Sequence, residues 1–217
     1  RIEEKPVAIC RLKRVAADKR GDIEHLMPEI APKNGKRVAC IGGGPASLTV
    51  ARDLAPLGYH VVVYDRDAAG GGMMRSQIPA FRLPESVLNE EVERILDFGI
   101  ETRFNQEVTS LKEVLDEDFD AVFVGTGAPR GRDLNIPGRE DVGENFHIGI
   151  DWLMSVAFGH TSKIGKRVVV LGGGNTAMDC CRTAKRLGGE DVKVIVRSAF
   201  DTMKASPWQI EDAQNED

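Results

Sequence analysis

Four cysteines, Cys10, Cys40, Cys180 and Cys181, are all the sequence has, and no two of them are spaced as CxxC. The adjacent Cys180 and Cys181 would leave a shared helix on different sides, so neither a dithiol redox centre nor an iron–sulfur cage can be built from them. Small buried core residues in a reducing compartment are the simpler expectation. The four histidines, His25, His60, His147 and His160, are scattered without ligand spacing, and no metal site is expected. No Ser/His/Asp or Cys/His constellation is present, so no catalytic side chain is assigned. No apolar run approaches the ~20 residues a membrane helix needs. The N-terminal stretch, with Arg1, Glu3, Glu4 and Lys5, has no apolar signal-peptide core, which makes the cytoplasm the expected location, without membrane insertion. Positive charge is not in excess either. The formal charge is −5 with both signs interspersed, which excludes nucleic acid as an expected partner.

What the chain does have is a hydrophobic share of 41% over 217 residues, enough for one or two cored domains, and 23 glycines, some gathered into runs. Residues 1–31 read as a short helical lead-in with Val7, Ile9, Leu12 and Val15 apolar, and the polar "APKNGKR" connector follows. "RVACI" is then a short apolar strand ending in glycines. "PASLTVARDLAPLG" carries Ala46, Val50, Ala51 and Leu54 on one helical face, and "HVVVYD" is again a strand. "PESVLNEEVERILDFG" reads as a helix begun by Pro84 and stopped by Gly99. "IETRF" alternates like a strand, and "DAVFVGTG" reads as a buried strand running into Gly125, Thr126 and Gly127. After a Gly- and Pro-rich loop, "IDWLMSVAF" and a second connector, "VVVLGGGNTA" restarts the pattern about 130 residues after its first appearance in "VACIGGGPAS". The fold class is α/β, with two parallel-sheet units of the same strand, glycine turn, helix, strand design.

A strand that ends in G-x-G-x-x-G/A and opens a helix solves the problem of holding a pyrophosphate. The first glycine makes the turn, the second admits the phosphates to the backbone, and a small third residue lets helix and strand pack. These positions are Gly42, Gly44 and Ser47 in the first copy, with Pro45 and Ala46 between, and Gly172, Gly174 and Ala177 in the second. Amides and the helix dipole attract the anion. Asp65 closes the second strand of the first copy, where a carboxylate takes both ribose hydroxyls. The second copy places Arg197 there, which suits a ribose 2′-phosphate and favours NADP over NAD; stacking on adenine, or plain solvation, are the other uses of an arginine at a strand end. Two such ends argue for two different dinucleotides.

The combination "KPVAICRLKRVAAD", "CIGGGPAS", "GGMMRSQIPAFRLP", "FVGTG", "NIPG" and "VVVLGGGNTAMDCCRTAKRLGG", in this order, resembles the small (beta) subunit of glutamate synthase and its two-dinucleotide-domain flavoprotein relatives. The resemblance covers nearly all of the chain. It implies two Rossmann-like domains: a lead-in over 1–36, an FAD-binding domain over 37–150, and over 151–217 the first part of an NAD(P)H-binding domain that is incomplete in this chain. It also implies a central portion of a longer protein, or a chain completed by another. Gly42, Gly44, Pro45, Ala46, Ser47 and Asp65 are then FAD contacts. Gly71, Gly72 and Arg75 run past the flavin, with Ile78 and Pro79 near its ring. Gly125, Thr126 and Gly127 form the turn that leaves the domain. Gly172, Gly174, Asn175, Thr176, Ala177, Asp179 and Arg197 hold NADPH, with NADH as the alternative, since relatives usually have a second arginine where Ser198 stands here. The implied activity is hydride transfer from NADPH to FAD, followed by electron transfer to iron–sulfur clusters outside this chain, in a larger catalytic subunit or an adjoining domain. A second reading is an FAD-binding electron-transfer or assembly module without its own NAD(P)H oxidation. A single-domain dehydrogenase fits less well, since it needs one glycine turn and a proton-transfer residue.

Overall fold

A computed structural model describes residues 7–216 of the chain. Four strands, β1 (Arg37–Ile41), β2 (His60–Tyr64), β3 (Glu101–Arg103) and β4 (Ala121–Val124), form one sheet in the order β3-β2-β1-β4 with every pairing parallel. Two more, β5 (Arg167–Leu171) and β6 (Asp191–Ile195), form a second parallel sheet. The helices are α1 (Ile9–Asp18), α2 (Pro45–Leu54), α3 (Met73–Ser76), α4 (Glu85–Leu96), α5 (Leu111–Leu115), α6 (Gly149–Ala157), α7 (Asn175–Arg186) and α8 (Pro207–Asn215). The expected α/β class with repeated parallel units is therefore what the chain adopts. None of the described helices is long and apolar enough to cross a membrane.

Central strands of a parallel sheet are covered on both faces, so their residues need not alternate. Val38 to Ile41 and Val61 to Tyr64 are buried without interruption. Val38, Cys40, Val61 and Val63 pack beneath Ala51 and Ala55 of the α2 segment and against Phe98 and Ile100. Ala39, Ile41, Val62 and Tyr64 face the other way, against Val114 of α5. α4 lies over α2 through Leu48, Leu88 and Val92. The buried face of α2 is Ser47, Leu48 and Ala51, whereas Ala46, expected on that face, is exposed at the helix start. β4 also departs from expectation. It is an edge strand paired only with β1, and Val124 is 56% exposed.

The second unit alternates instead. Val168, Val170, Val192 and Val194 turn toward α7, while Val169, Leu171 and Ile195 are exposed on the opposite face. α6 and α7 close the inner side through Trp152, Leu153, Cys180 and Ala184. α1 occupies the expected lead-in, but none of its residues is buried, and Ile9, Leu12 and Val15 are exposed. Cys10 on α1 is likewise exposed, unlike the other three cysteines, which are buried as expected. The part of the expected lead-in that falls on residues 1–6 lies outside the described residues.

Ser47 is fully buried where α2 meets the sheet, and its hydroxyl has no hydrogen-bond partner among the described residues. Burying a hydroxyl unpaired is unfavourable. Ser47→Ala is therefore expected to raise the unfolding free energy by about 1 kcal/mol, and Ser47→Val to lower it by overpacking. Urea denaturation of the three proteins checks both signs.

Candidate functional site

In an open parallel sheet a ligand binds beyond the carboxyl ends of the strands, where the strand order reverses. That point lies between β1 and β4, because β1 is followed in sequence by β2 on one side and flanked by β4 on the other. The turn after β1 sits there. Gly42 has φ +94°, its amide donates to the Tyr64 carbonyl at 2.8 Å, and a Cβ on it would stand 2.6 Å from the Gly125 carbonyl oxygen at the end of β4. A third loop closes over the turn. Gly72 has φ +53°, a Cβ on it would meet Gly44 Cα at 2.8 Å, and the Gly71 amide donates to the Gly43 carbonyl at 2.8 Å. Three loops thus meet backbone to backbone, which only residues without side chains allow.

α2 starts from this junction. No side chain caps it, Pro45 fills its first turn without an N–H, and Leu48 is the first residue to bond back, to Gly44 at 3.0 Å. The Ala46 and Ser47 amides are left for an anion. Asp65, at the end of β2, has one carboxylate oxygen on the Gly43 amide and the other on the Asp67 amide at 2.9 Å. Burial and the Asp65 charge beside it raise the Asp67 carboxyl above its usual range. Two carboxylates at this end accept and cannot donate, so the group they suit is a sugar diol and not a phosphate. Thr126 and Gly127 stand exposed at the end of β4, the latter with φ +69°.

Arg75 points elsewhere. Its Nε donates to the Gly70 carbonyl at 2.8 Å, and its other nitrogens reach Glu85 at 3.2 Å and Asn89 at 2.7 Å on α4. This arginine fastens the Gly70–Gly72 loop to α4. Ile78 and Pro79 line a cavity of about 430 Å³ shared with Leu153 and Phe158 of the second unit and with Leu187 beyond α7.

The second glycine turn repeats the first. Gly172 has φ +137°, its amide donates to the Ile195 carbonyl at 2.9 Å, and a Cβ on Gly174 would meet nothing within 4 Å. α7 begins there without a side-chain cap. A cavity of about 810 Å³ reaches this turn, lined by Gly172, Gly174 and Thr176 and walled by Ile136 and Phe146 of the loop after β4. Ala177 is buried against the strands, as the third position requires. Asn175 holds the turn to α8, accepting from the Ser206 amide at 2.8 Å. Arg197 is exposed past the end of β6. Asp179 is brought to another place. Its side chain is 7% exposed, and one oxygen accepts from Arg82 Nη1 at 2.6 Å. Burial raises its carboxyl above the ordinary range, and Arg82 works against that. Arg82 and its neighbour Phe81 lie in the quoted "IPAFRLP" stretch, yet nothing local in the sequence marks them as partners of α7.

The buried thiols are not poised for redox work. Burial pushes Cys40 up to about 11 and Cys180 up to about 12, and raises Cys181 as well, which keeps the nucleophilic thiolate scarce near neutrality.

Parallel strand and helix units with glycine turns at the helix starts define a protein of the dinucleotide-binding, Rossmann-like class. Residues 36–214 match the family described as pyridine nucleotide-disulphide oxidoreductase, and the chain belongs to that family. It is 37% identical over 220 residues to the NADPH-Fe(3+) oxidoreductase subunit beta of Geobacter sulfurreducens, covering 97% of this chain and 32% of that protein. It is 36% identical over 198 residues to the glutamate synthase [NADPH] small chain of Escherichia coli, covering 85% of this chain and 41% of that one. The chain thus spans 32% and 41% of the length of these two relatives. Among solved structures, Mycobacterium tuberculosis FprA in complex with NADPH aligns with a TM-score of 0.67 at 21% identity, over 86% of this chain and 48% of FprA, a likeness of fold. The expected family and oxidoreductase class are borne out.

Gly42→Ala is expected to cost about 1–3 kcal/mol of stability through its positive φ and the clash with Gly125, which urea denaturation would read. A second expectation concerns pH. Arg182 and then Arg186 hold the Glu216 carboxyl down to about 2. A carboxylate whose folded value is depressed contributes fully above its unfolded value and loses that contribution as pH falls through the folded one. The tie between α7 and the end of α8 should therefore weaken from about pH 4.5 down to about 2, followed by Trp208 emission, and Glu216→Gln should already show the weakened state at pH 7.

Proposed function

We propose that this chain is the dinucleotide-handling part of an NADPH-dependent flavoprotein oxidoreductase, with residues 37–150 holding FAD and 151–217 contributing to the NADPH site. The observation that carries the reading is the backbone junction of Gly42, Gly44, Gly72 and Gly125 at the switch point, matched by a second open glycine turn at Gly172 and Gly174. Both cradles fit a diphosphate: a Cβ would fill the first, and the space at Gly174 is clear.

In the first cradle the Ala46 and Ser47 amides and the α2 dipole take the diphosphate, and Asp65, fixed by the Gly43 and Asp67 amides, takes the ribose hydroxyls. Thr126 and Gly127 would border FAD where the chain leaves β4, and Ile78 and Pro79 would hold its flavin end. In the second cradle Gly172, Gly174, Thr176 and Ala177 receive the second diphosphate, Asn175 steadies the turn, and Arg197 meets the 2′-phosphate that separates NADPH from NADH. Bound in these two cradles, NADPH and FAD would supply the chemistry of hydride transfer, the residues named holding them in place. The protein contributes orientation and exclusion of water, and no side chain need take or give a proton.

Both relatives named above are described as a subunit or a small chain. This supports a further subunit, or the remainder of a longer polypeptide, as the place the electrons go, and an iron–sulfur acceptor there is part of the proposal. The test is the anaerobic visible spectrum of the intact protein with FAD before and after NADPH. A bound flavin band that bleaches is the expected result. A bound flavin that stays oxidised with NADPH and NADH alike would leave an electron-transfer module in place of a reductase.

A further inference from the structure

The second glycine helix is tied to the first unit by charge. Between α3 and α4 the chain turns, with the Arg82 amide donating to the Pro79 carbonyl at 2.8 Å, and this presents Phe81 and Arg82 to α7. Arg82 donates to Asp179 at 2.6 Å, and the other Asp179 oxygen is buried with no partner among the described residues. The Phe81 ring lies under two guanidinium groups of α7, Arg186 at 3.9 Å and Arg182 at 4.6 Å. Arg182 is itself held by Glu216 at 2.9 and 2.6 Å, so the stack is braced from α8.

The two copies of the repeat show that this acid is not part of the pyrophosphate device. In α2 the residue corresponding to Asp179 is Thr49, which is exposed and bonds only back to its own helix at the Pro45 carbonyl, 2.8 Å away. The residue corresponding to Arg182 is Arg52, which is 54% exposed and pairs with its neighbour Asp53. A dinucleotide turn of this design therefore needs neither an acid nor a buried arginine at those positions. Facing Phe81 and Arg82 does.

We propose that Arg82 is a positioning residue, and that Arg82 with Asp179 and Phe81 between Arg182 and Arg186 form a clamp that sets the distance between the two dinucleotides. The clamp joins the helix that starts at the second glycine turn to the segment three residues beyond Ile78 and Pro79. Its register is discrete. Sliding the units apart strands a buried carboxylate without its counter-charge, so α7 has one favourable seat on the first unit. Hydride transfer is sensitive to a displacement of about 1 Å, which alone can lower a rate by about 100-fold. The inference rests on the functional reading above for its kinetic consequence, but not for the clamp itself.

The experiment compares Arg82→Met, Arg82→Lys, Asp179→Asn and the Met/Asn double variant with the unaltered full-length holoenzyme. In stopped flow at saturating NADPH, Arg82→Met is expected to reduce flavin about 100-fold more slowly while FAD content and NADP⁺ affinity stay within about threefold. Arg82→Lys should recover part of the rate. The double variant should be no slower than the worse single one, as for two residues acting as a unit. Unchanged flavin reduction in Arg82→Met, or losses that add in the double variant, would overturn the proposal. Hydrogen exchange provides the second readout. In Arg82→Met the amides of 175–186 and 78–83 should exchange faster together, with those of β1 and β2 unchanged. If the unaltered enzyme shows no flavin reduction, the functional reading fails and this exchange result alone decides the clamp; unchanged exchange then overturns it.

Discussion

Everything in the first unit follows from how closely three stretches of backbone approach each other at the carboxyl end of β1. Gly42 lies against Gly125, and Gly72 lies against Gly44. No side chain of any chemistry fits in those gaps, so the positions are set by space before they are set by function. The consequence reaches outward in two directions. Inward, the small residue at Ser47 lets α2 sit on the sheet and bury Leu48 and Ala51. Outward, the same closeness leaves the helix start bare, and bare amides at a helix start attract an anion. Core packing and ligand affinity thus come from one local arrangement.

The second unit uses the same turn in a different setting. Its strands bury one face only, and Val169, Leu171 and Ile195 remain exposed on the other. Its helix α7 is accordingly bound by more than its own sheet, through α6, α8 and the segment around Phe81. Much of that binding is ionic: Arg82 with Asp179, Arg182 and Arg186 with Glu216. Ion pairs are directional and intolerant of displacement in a way that apolar contact is not. A joint between two units gains register from them that an apolar face alone would not supply.

The sequence was informative where structure is local. Glycine spacing, the apolar runs at Val38 and Val61, the Pro84 start and Gly99 stop of α4 are all consequences of rules that act within a few residues. It was silent where partners lie far apart. Arg82 and Asp179 are separated by 97 positions, and no pattern in either stretch announces the other. Arg75 illustrates a subtler limit: nothing in its own segment announces that its side chain runs into α4, where Glu85 and Asn89 lie within reach. β4 shows a third. An apolar run such as Ala121 to Val124 has the same composition at an edge as at the centre of a sheet, and only its neighbours decide how much of it is covered.

An internal repeat makes such distinctions decidable from within one chain. Gly42 and Gly172 correspond in sequence and in turn geometry, each with a positive φ and an amide donating to the last carbonyl of the next strand, and Ser47 and Ala177 are both buried behind them. Thr49 and Asp179, Arg52 and Arg182 correspond in sequence only. In α2 these positions are exposed to solvent; in α7 they are buried against the first unit. What the copies share belongs to holding a dinucleotide, and what they do not share belongs to where each copy sits. By that criterion the acid and the arginine of α7 are features of the joint between the units, and the glycines before them are features of the cradle.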